Sequence, residues 1–316
     1  MKYGKIAGVP QPVSRAVMGS LIFSPEKKEL TFSLLDAFAA LGGNCIDTAH
    51  IYNGGKSEAA IGLWLDERGN RESIVVLDKG CAPTGPESRV TPECIRADLA
   101  DNRARLKTSY VDLWVLHRDN PAVPVGPIVE ELNAQKAAGK MRAFGGSNWT
   151  HTRIQEANEY AYKKGLTGFA VSSPNLSLAE PKEAMWAGCI SVSAEGCKWH
   201  AENQFPLFAW SSQARGFFSG RFGPGRMGLD PDVMRVYYNA ENFERLRRAQ
   251  EMGRKKNASA IQIAFAYVFN QPFPAYCLFG PANPDELNSS LAAVEIGLTP
   301  EELKWLNLEA NSITSP

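Results

Sequence analysis

The sequence predicts an α/β protein of one domain, a closed (β/α)8 TIM barrel spanning residues 1–316, and three observations carry that prediction. Short apolar runs alternate with helical stretches along the chain, the pattern of a parallel sheet wrapped by its crossover helices. Residues 74–77 are an unbroken aliphatic run, as in a strand covered on both faces. The first strand ends in Met18-Gly19-Ser20-Leu21 and lacks the glycine-rich loop with which an open, doubly wound sheet usually begins.

Taken in order, residues 1–14 contain two glycines and two prolines and predict a short lead-in hairpin. Residues 16–20 form the first barrel strand. Pro25 then opens a helix in which Leu30, Leu34, Leu35, Phe38 and Leu41 recur at helical spacing, and Gly42-Gly43 ends it. Residues 44–47 are the second strand and 57–68 its helix; 74–77 are the third strand, running into Asp78-Lys79. Thr91-Pro92 pairs a capping residue with proline at the first helical position and starts a helix reaching about residue 106. The fourth strand, 111–116, ends at His117, and a helix over 125–138 stops at Gly139. The fifth strand, 143–146, ends in Ser147-Asn148 and leads to a helix over 151–164. Strands six to eight fall at 169–173, 207–210 and 276–279. Helical patterns at 241–256, 259–270 and 300–311 supply extra C-terminal helices. Residues 185–203, with Trp186, Trp199 and His200, exceed a bare connection and read as a helix with an extension or as outer packing.

The 34 basic and 34 acidic residues cancel, so nothing draws the chain to nucleic acid or to an anionic membrane. No apolar run reaches the length of a membrane span, and the N-terminus has no apolar signal core. The six cysteines form no C-x-x-C pair, and the four histidines show no metal-ligand spacing. A cytoplasmic protein with reduced thiols and no metal is expected. No motif fixes an oligomeric state.

The ends of the strands carry the chemistry. In a barrel, the residues there converge on one mouth. Strand two presents Asp47, with Tyr52 five positions on; strand three presents Lys79, and strand four His117. A carboxylate, a phenol, an ammonium and an imidazole suit proton transfer to a carbonyl oxygen. Lys79 should lower the phenol pKa of Tyr52, Asp47 should hold Lys79 charged, and His117 should polarise the substrate oxygen. Each residue alone has a plainer reading: Asp47 and Lys79 as a structural ion pair, His117 and Tyr52 as packing residues. Their joint placement at successive strand ends favours catalysis.

These residues, with Asp47-Thr48-Ala49, the Gly54/Ser57-Glu58 turn and Asp112-Leu113-x-x-Leu116-His117, make the chain resemble the aldo-keto reductase family over nearly its whole length. The resemblance implies hydride exchange between a nicotinamide cofactor and a carbonyl or alcohol, with Asp47, Tyr52, Lys79 and His117 as the family's tetrad and Tyr52 as general acid and base. It implies that Ser147 and Asn148 hold the nicotinamide amide, that Ser173 replaces a usual glutamine, and that Trp210 stacks on the ring. Ser211, Ser212, Gln213, Arg215, Gly216 and Arg221 fall on the loop that crosses the pyrophosphate. Gly280, Ala282, Asn283, Glu286 and Ser290 fall on the adenosine segment. The family's basic residue near Ala282 and its asparagine at Ser290 are missing, which removes the usual 2′-phosphate anchor; NADP(H) is favoured on the family pattern, with NAD(H) close behind.

Phe23, Cys81, Arg118, Asp119 and Trp149 follow strand ends and are expected to line the substrate mouth, which with Asn53 would suit a sugar or other polyol. Two other classes stay open. One is a cofactor-binding regulatory or interaction subunit on the same fold. The other is a lyase or hydrolase working through a Lys79 Schiff base.

Overall fold

The structure, a computed structural model, describes residues 1–85, 87–227 and 230–313. Strands β1 (Tyr3–Gly4) and β2 (Val13–Ser14) pair antiparallel as the lead-in hairpin. The barrel then begins with β3 (Ala16–Gly19), α1 (Lys28–Ala40), β4 (Cys45–Asp47), α2 (Lys56–Arg68), β5 (Val75–Gly80) and α3 (Pro92–Arg105). It continues with β6 (Val111–Leu116), α4 (Val125–Ala137), β7 (Met141–Ser147), α5 (His151–Lys163), β8 (Val171–Ser173) and α6 (Ala194–Asn203). The last third holds β9 (Leu207–Ala209), α7 (Pro231–Tyr237), α8 (Ala240–Lys256), α9 (Ala260–Phe269), β10 (Ala275–Phe279), α10 (Pro284–Ala292) and α11 (Pro300–Leu306). Strands β3 to β10 form one closed parallel barrel of eight, with β10 pairing to β3.

Strand alternation divides the core into two. Val17, Cys45, Leu77, Leu113, Val115, Val171, Phe208 and Leu278 fill the barrel interior, joined by Ile6, Val9 and Val13 of the hairpin, which stops its N-terminal end. The residues between them, such as Ile46, Val76, Trp114 and Phe144, face the helices in the outer shell. Two residues beyond each interior position, the same face reaches the C-terminal mouth. Asp47 follows Cys45, Lys79 follows Leu77, His117 follows Val115, Ser173 follows Val171 and Gly280 follows Leu278 by that step.

Several boundaries differ from the sequence expectation. Strand β5 runs three residues past Leu77 because Asp78, Lys79 and Gly80 all register against β6. Strand β8 starts at Val171 rather than 169. The 300–311 helix stops at Leu306, and the short α7 was not expected; it is capped by Asp230, with Pro231 in its first turn. Residues 185–203 split into a strap without regular structure and the helix α6, whose cap is Ser193.

Helix α2 lies close on the end of α3. A Cβ at Gly62 would stand 2.3 Å from the Arg105 carbonyl oxygen and 2.8 Å from the Leu106 carbonyl carbon. Both are backbone atoms that no rotamer change relieves. Gly62→Ala is expected to destabilise the fold by about 1–3 kcal/mol by overpacking, despite alanine's better helix propensity. Urea denaturation reads this directly, and an unchanged midpoint would mean that α2 and α3 separate freely.

Candidate active site

At the mouth, the Lys79 ammonium ion-pairs with the Asp47 carboxylate, donates to the Thr48 carbonyl at 2.9 Å and reaches the Tyr52 hydroxyl at 3.2 Å. It also lies 4.7 Å from the centroid of the Tyr52 ring. The His117 ring meets Tyr52 edge to face at 5.8 Å. Asp47, Lys79 and His117 are buried and Tyr52 is half-buried, so the four predicted residues meet at one cavity.

The electrostatics follow from this burial. Burial alone would pull the Lys79 pKa down; Asp47, then Tyr52, outweigh it, and the net shift is upward. His117 is held well below its usual value by burial, then by Lys79 and Arg118, so its imidazole is neutral at physiological pH. Tyr52 departs from the sequence expectation. Burial raises its pKa, and the opposing pull of Lys79 does not bring it below the ordinary tyrosine value. In this state the phenol keeps its proton.

The loop after β4 holds Tyr52 through its backbone. His50 N–H donates to the Lys79 carbonyl at 2.8 Å, and Tyr52 N–H to that of Ala49 at 2.9 Å. Asn53, Gly54 and Gly55 are all left-handed, with φ of 50°, 64° and 86°. A Cβ at Gly55 would lie 2.6 Å from the Arg105 guanidinium, which reaches under the loop to donate to the His50 carbonyl at 2.9 Å and to Glu58 at 2.7 Å. Sequence reasoning missed Arg105. It lies far along the chain, at the end of α3, and no motif marks it.

Behind Lys79, on the outer face of β5, Asp78 and Glu58 are both fully buried. Glu58 accepts from Arg105 and Asn102. One Asp78 oxygen accepts from the Lys79 N–H at 2.7 Å, whereas the other has no donor. Burial, then the charge of Glu58, pushes the Asp78 carboxyl well above the ordinary range, so it stays protonated beside Glu58.

A cleft of about 1060 Å³ runs from the tetrad to the start of α10. Ser147, Asn148, Trp210, Ser211, Gln213, Arg215, Gly216, Arg221, Gly280, Glu286 and Ser290 of the expected cofactor set line it. Ser211 and Arg215 are left-handed, with φ of 51° and 52°. Ser173 and Ser212 lie beneath the wall, and Ser212 donates to the Leu278 carbonyl at 2.7 Å. Ala282 and Asn283 belong to the cap of α10 instead: Asn283 accepts from the Glu286 N–H and Ala282 N–H donates to the Glu286 carboxylate. The Asn148 amide is already engaged, donating to the His117 carbonyl and accepting from the Ile190 N–H.

The cleft fits a dinucleotide on two counts. The indole N–H of Trp210, a residue of the wall, is buried without a partner. A Cβ at Gly280 would meet nothing within 4 Å, so the backbone there is open to a ligand rather than needed for packing. Among the described residues, no cluster of three or more histidine, cysteine or acidic side chains is placed to hold a metal. No described helix is long and apolar enough to cross a membrane.

The expected substrate wall needs correction. A turn closed by Phe23 N–H on the Ser20 carbonyl tucks Phe23 into the core and leaves Leu21 and Ile22 on the cleft. Left-handed Asn148 turns Trp149 outward, where it packs on Phe169 at 5.0 Å and over Gly146. Cys81 is buried, its N–H bonded to Asp98. Asp119 pairs with Arg153, and Asn53 donates to the Phe23 carbonyl. Arg118 does line the cleft. Ile51, Trp186 and Cys189 complete the mouth; the exposed indole of Trp186 lies 6.1 Å from that of Trp210.

A parallel barrel carrying a buried Asp–Lys pair, a phenol and a neutral imidazole beside a dinucleotide-sized cleft defines an oxidoreductase-type site on a TIM barrel. The chain belongs to the aldo/keto reductase family, whose model matches residues 18–307, and it is an oxidoreductase. It is 27% identical to an aryl-alcohol dehydrogenase [NADP(+)] of Phanerodontia chrysosporium over 89% of this chain and 76% of that one. It is 28% identical to a norsolorinic acid reductase of Emericella nidulans over 87% of this chain and 70% of that one. The structure of a glycerol dehydrogenase from Gluconobacter oxydans superposes with a TM-score of 0.78 at 22% identity, covering 96% of this chain and 94% of that one, and so shares its fold.

The Asp78–Glu58 contact predicts a pH-dependent gain. Asp78 keeps its proton when folded and loses it when unfolded near its ordinary pKa of about 4, so it lowers stability progressively as pH rises. Asp78→Asn keeps an acceptor for the Lys79 N–H and cannot ionise. It is expected to stabilise the protein by on the order of 1 kcal/mol or more at pH 8, with the gain shrinking towards pH 4. Melting curves at several pH values measure this, and a loss of stability at pH 8 would show Asp78 to be ionised.

Proposed function

We propose that the protein interconverts an aldehyde or ketone with its alcohol, using a nicotinamide cofactor and Tyr52 as general acid and base. The observation that carries this reading is the hydroxyl of Tyr52 at 3.2 Å from a lysine held charged by a buried carboxylate. The cofactor, when bound, supplies or accepts the hydride; the chain handles the proton. In reduction, Tyr52 gives its proton to the carbonyl oxygen while Lys79 stabilises the phenolate left behind. Neutral His117 orients the same oxygen without competing as an acid. In oxidation the phenolate takes the proton back.

Trp210, the left-handed loop 211–216 and Gly280 would hold the cofactor. NADP(H) is supported by the name of the Phanerodontia chrysosporium relative. NAD(H) is supported by Asp285 and Glu286, which put carboxylates rather than cations at the adenosine end of the cleft. The mouth favours an aromatic or other apolar carbonyl compound over a sugar. Asp119 and Asn53, the polar groups a polyol would use, are committed elsewhere, and Leu21, Ile51 and Trp186 form the rim.

Tyr52→Phe is expected to lower kcat by about 10²–10⁴-fold, the usual range for a lost general acid, while cofactor still quenches tryptophan fluorescence. Full activity in that variant would remove Tyr52 from the mechanism. Titrations with NADPH and NADH are expected to show binding of at least one, and binding of neither would sink the dinucleotide reading. A tighter Kd for NADH would assign the acidic adenosine end a discriminating role.

A further inference from the structure

We propose that Arg118 is an anchor for an anionic group on the substrate, so that the preferred substrates are carbonyl compounds carrying a carboxylate on an apolar body. The inference rests on the oxidoreductase reading above and adds the substrate's charge to it.

Arg118 follows His117 at the end of β6 and lines the cleft. Its neighbour in sequence, Asp119, does not neutralise it, because Arg153 takes that carboxylate at 3.3 Å. Among the described residues, no carboxylate lies within ion-pair distance of the Arg118 guanidinium. The other cations of the tetrad region and of the loop after β9 differ: Lys79 is paired to Asp47, and Arg215 to Asp230 at 3.2 Å. Arg221 also lacks a carboxylate among the described residues, but it sits in the loop expected to meet pyrophosphate. Arg118 stands just past the end of β6, four strands around the ring of eight from β10 and its adenosine segment, so it faces the substrate end.

The guanidinium is built into place rather than left to wander. Nη1 donates to the His117 carbonyl at 2.8 Å and Nε to the Ala187 carbonyl of the strap at 3.1 Å. A Cβ at Gly188, whose φ is +70°, would press on Arg118 Cδ at 3.2 Å, so glycine there lets the strap lie over the side chain. These two bonds leave hydrogens on Nη1 and Nη2 for a carboxylate, which a planar fork takes bidentately. Its charge reaches the neighbouring rings: behind burial and Lys79, Arg118 helps to hold His117 neutral, and at Tyr52 it opposes in small part the upward shift that burial causes. Along the same cleft, Leu21, Ile51 and Trp186 are apolar and exposed, a surface for the body of such a substrate.

The test compares 4-carboxybenzaldehyde with 4-methylbenzaldehyde, two rings of similar size that differ in charge, with whichever cofactor binds. The wild type is expected to favour the acid by about tenfold or more in kcat/KM, and Arg118→Met to lower that ratio about tenfold, with Arg118→Lys between them. The preference is also expected to shrink as salt rises. A role only in holding the strap would slow both aldehydes alike and leave the ratio standing. In the wild type, 4-methylbenzoate is expected to inhibit at lower concentration than 4-methylbenzamide, a measurement that needs no variant to fold. Reduction of both aldehydes with no preference, or a ratio unchanged in Arg118→Met, would overturn the assignment while the oxidoreductase reading stands. Reduction of neither with NADPH or NADH would bring down that reading and the anchor with it.

Discussion

A lysine ammonium in the mouth of an apolar barrel stays charged only if a carboxylate is buried with it, and the Asp47–Lys79 pair is the contact on which the mouth depends. Two adjacent strands supply the partners, so barrel closure itself sets their approach. Once paired, Lys79 spends its donors on Asp47, the Thr48 carbonyl and Tyr52, which orients the phenol. Burial first, and then the same positive charge, keeps His117 neutral. The pair's charge thus acts on both rings, with burial in the case of His117 and against it in the case of Tyr52.

The environment of that pair is layered. The inner face of β5 offers Lys79 to the cleft, while its outer face buries Asp78 against Glu58 on α2. Glu58 in turn holds Arg105, and Arg105 holds the loop that carries Tyr52. The tetrad therefore has a polar support reaching through the strand into the helical layer, built from residues that touch no substrate.

Much of this was legible in the sequence, for a physical reason. Period-two alternation fixes which face a strand residue takes, so Asp47, Lys79 and His117 could be placed from the apolar runs before them. The barrel and its eight strands followed from a different regularity, the alternation of short apolar runs with helical stretches. Residues beyond the strands were harder, because one turn decides their direction. The turn at Ser20 buries Phe23 and presents Leu21 and Ile22, and left-handed Asn148 sends Trp149 outward. Neither turn has a glycine or proline to announce it. The sign of the Tyr52 shift was also out of reach, since it depends on how far burial outweighs one nearby charge.

The strap, with the irregular chain that leads into it from Asn175, is fastened mostly through its main chain. Ile190 N–H meets Asn148, the Ala187 carbonyl meets Arg118, and the Ala184 and Met185 carbonyls meet Arg235. Main-chain fastenings do not depend on which side chains the strap displays. The segment is therefore a cassette on its exposed face: side chains such as Trp186 can be rewritten by drift or by a protein engineer without dismantling its mooring, whereas Gly188 and the buried Leu178 and Met185 belong to that mooring.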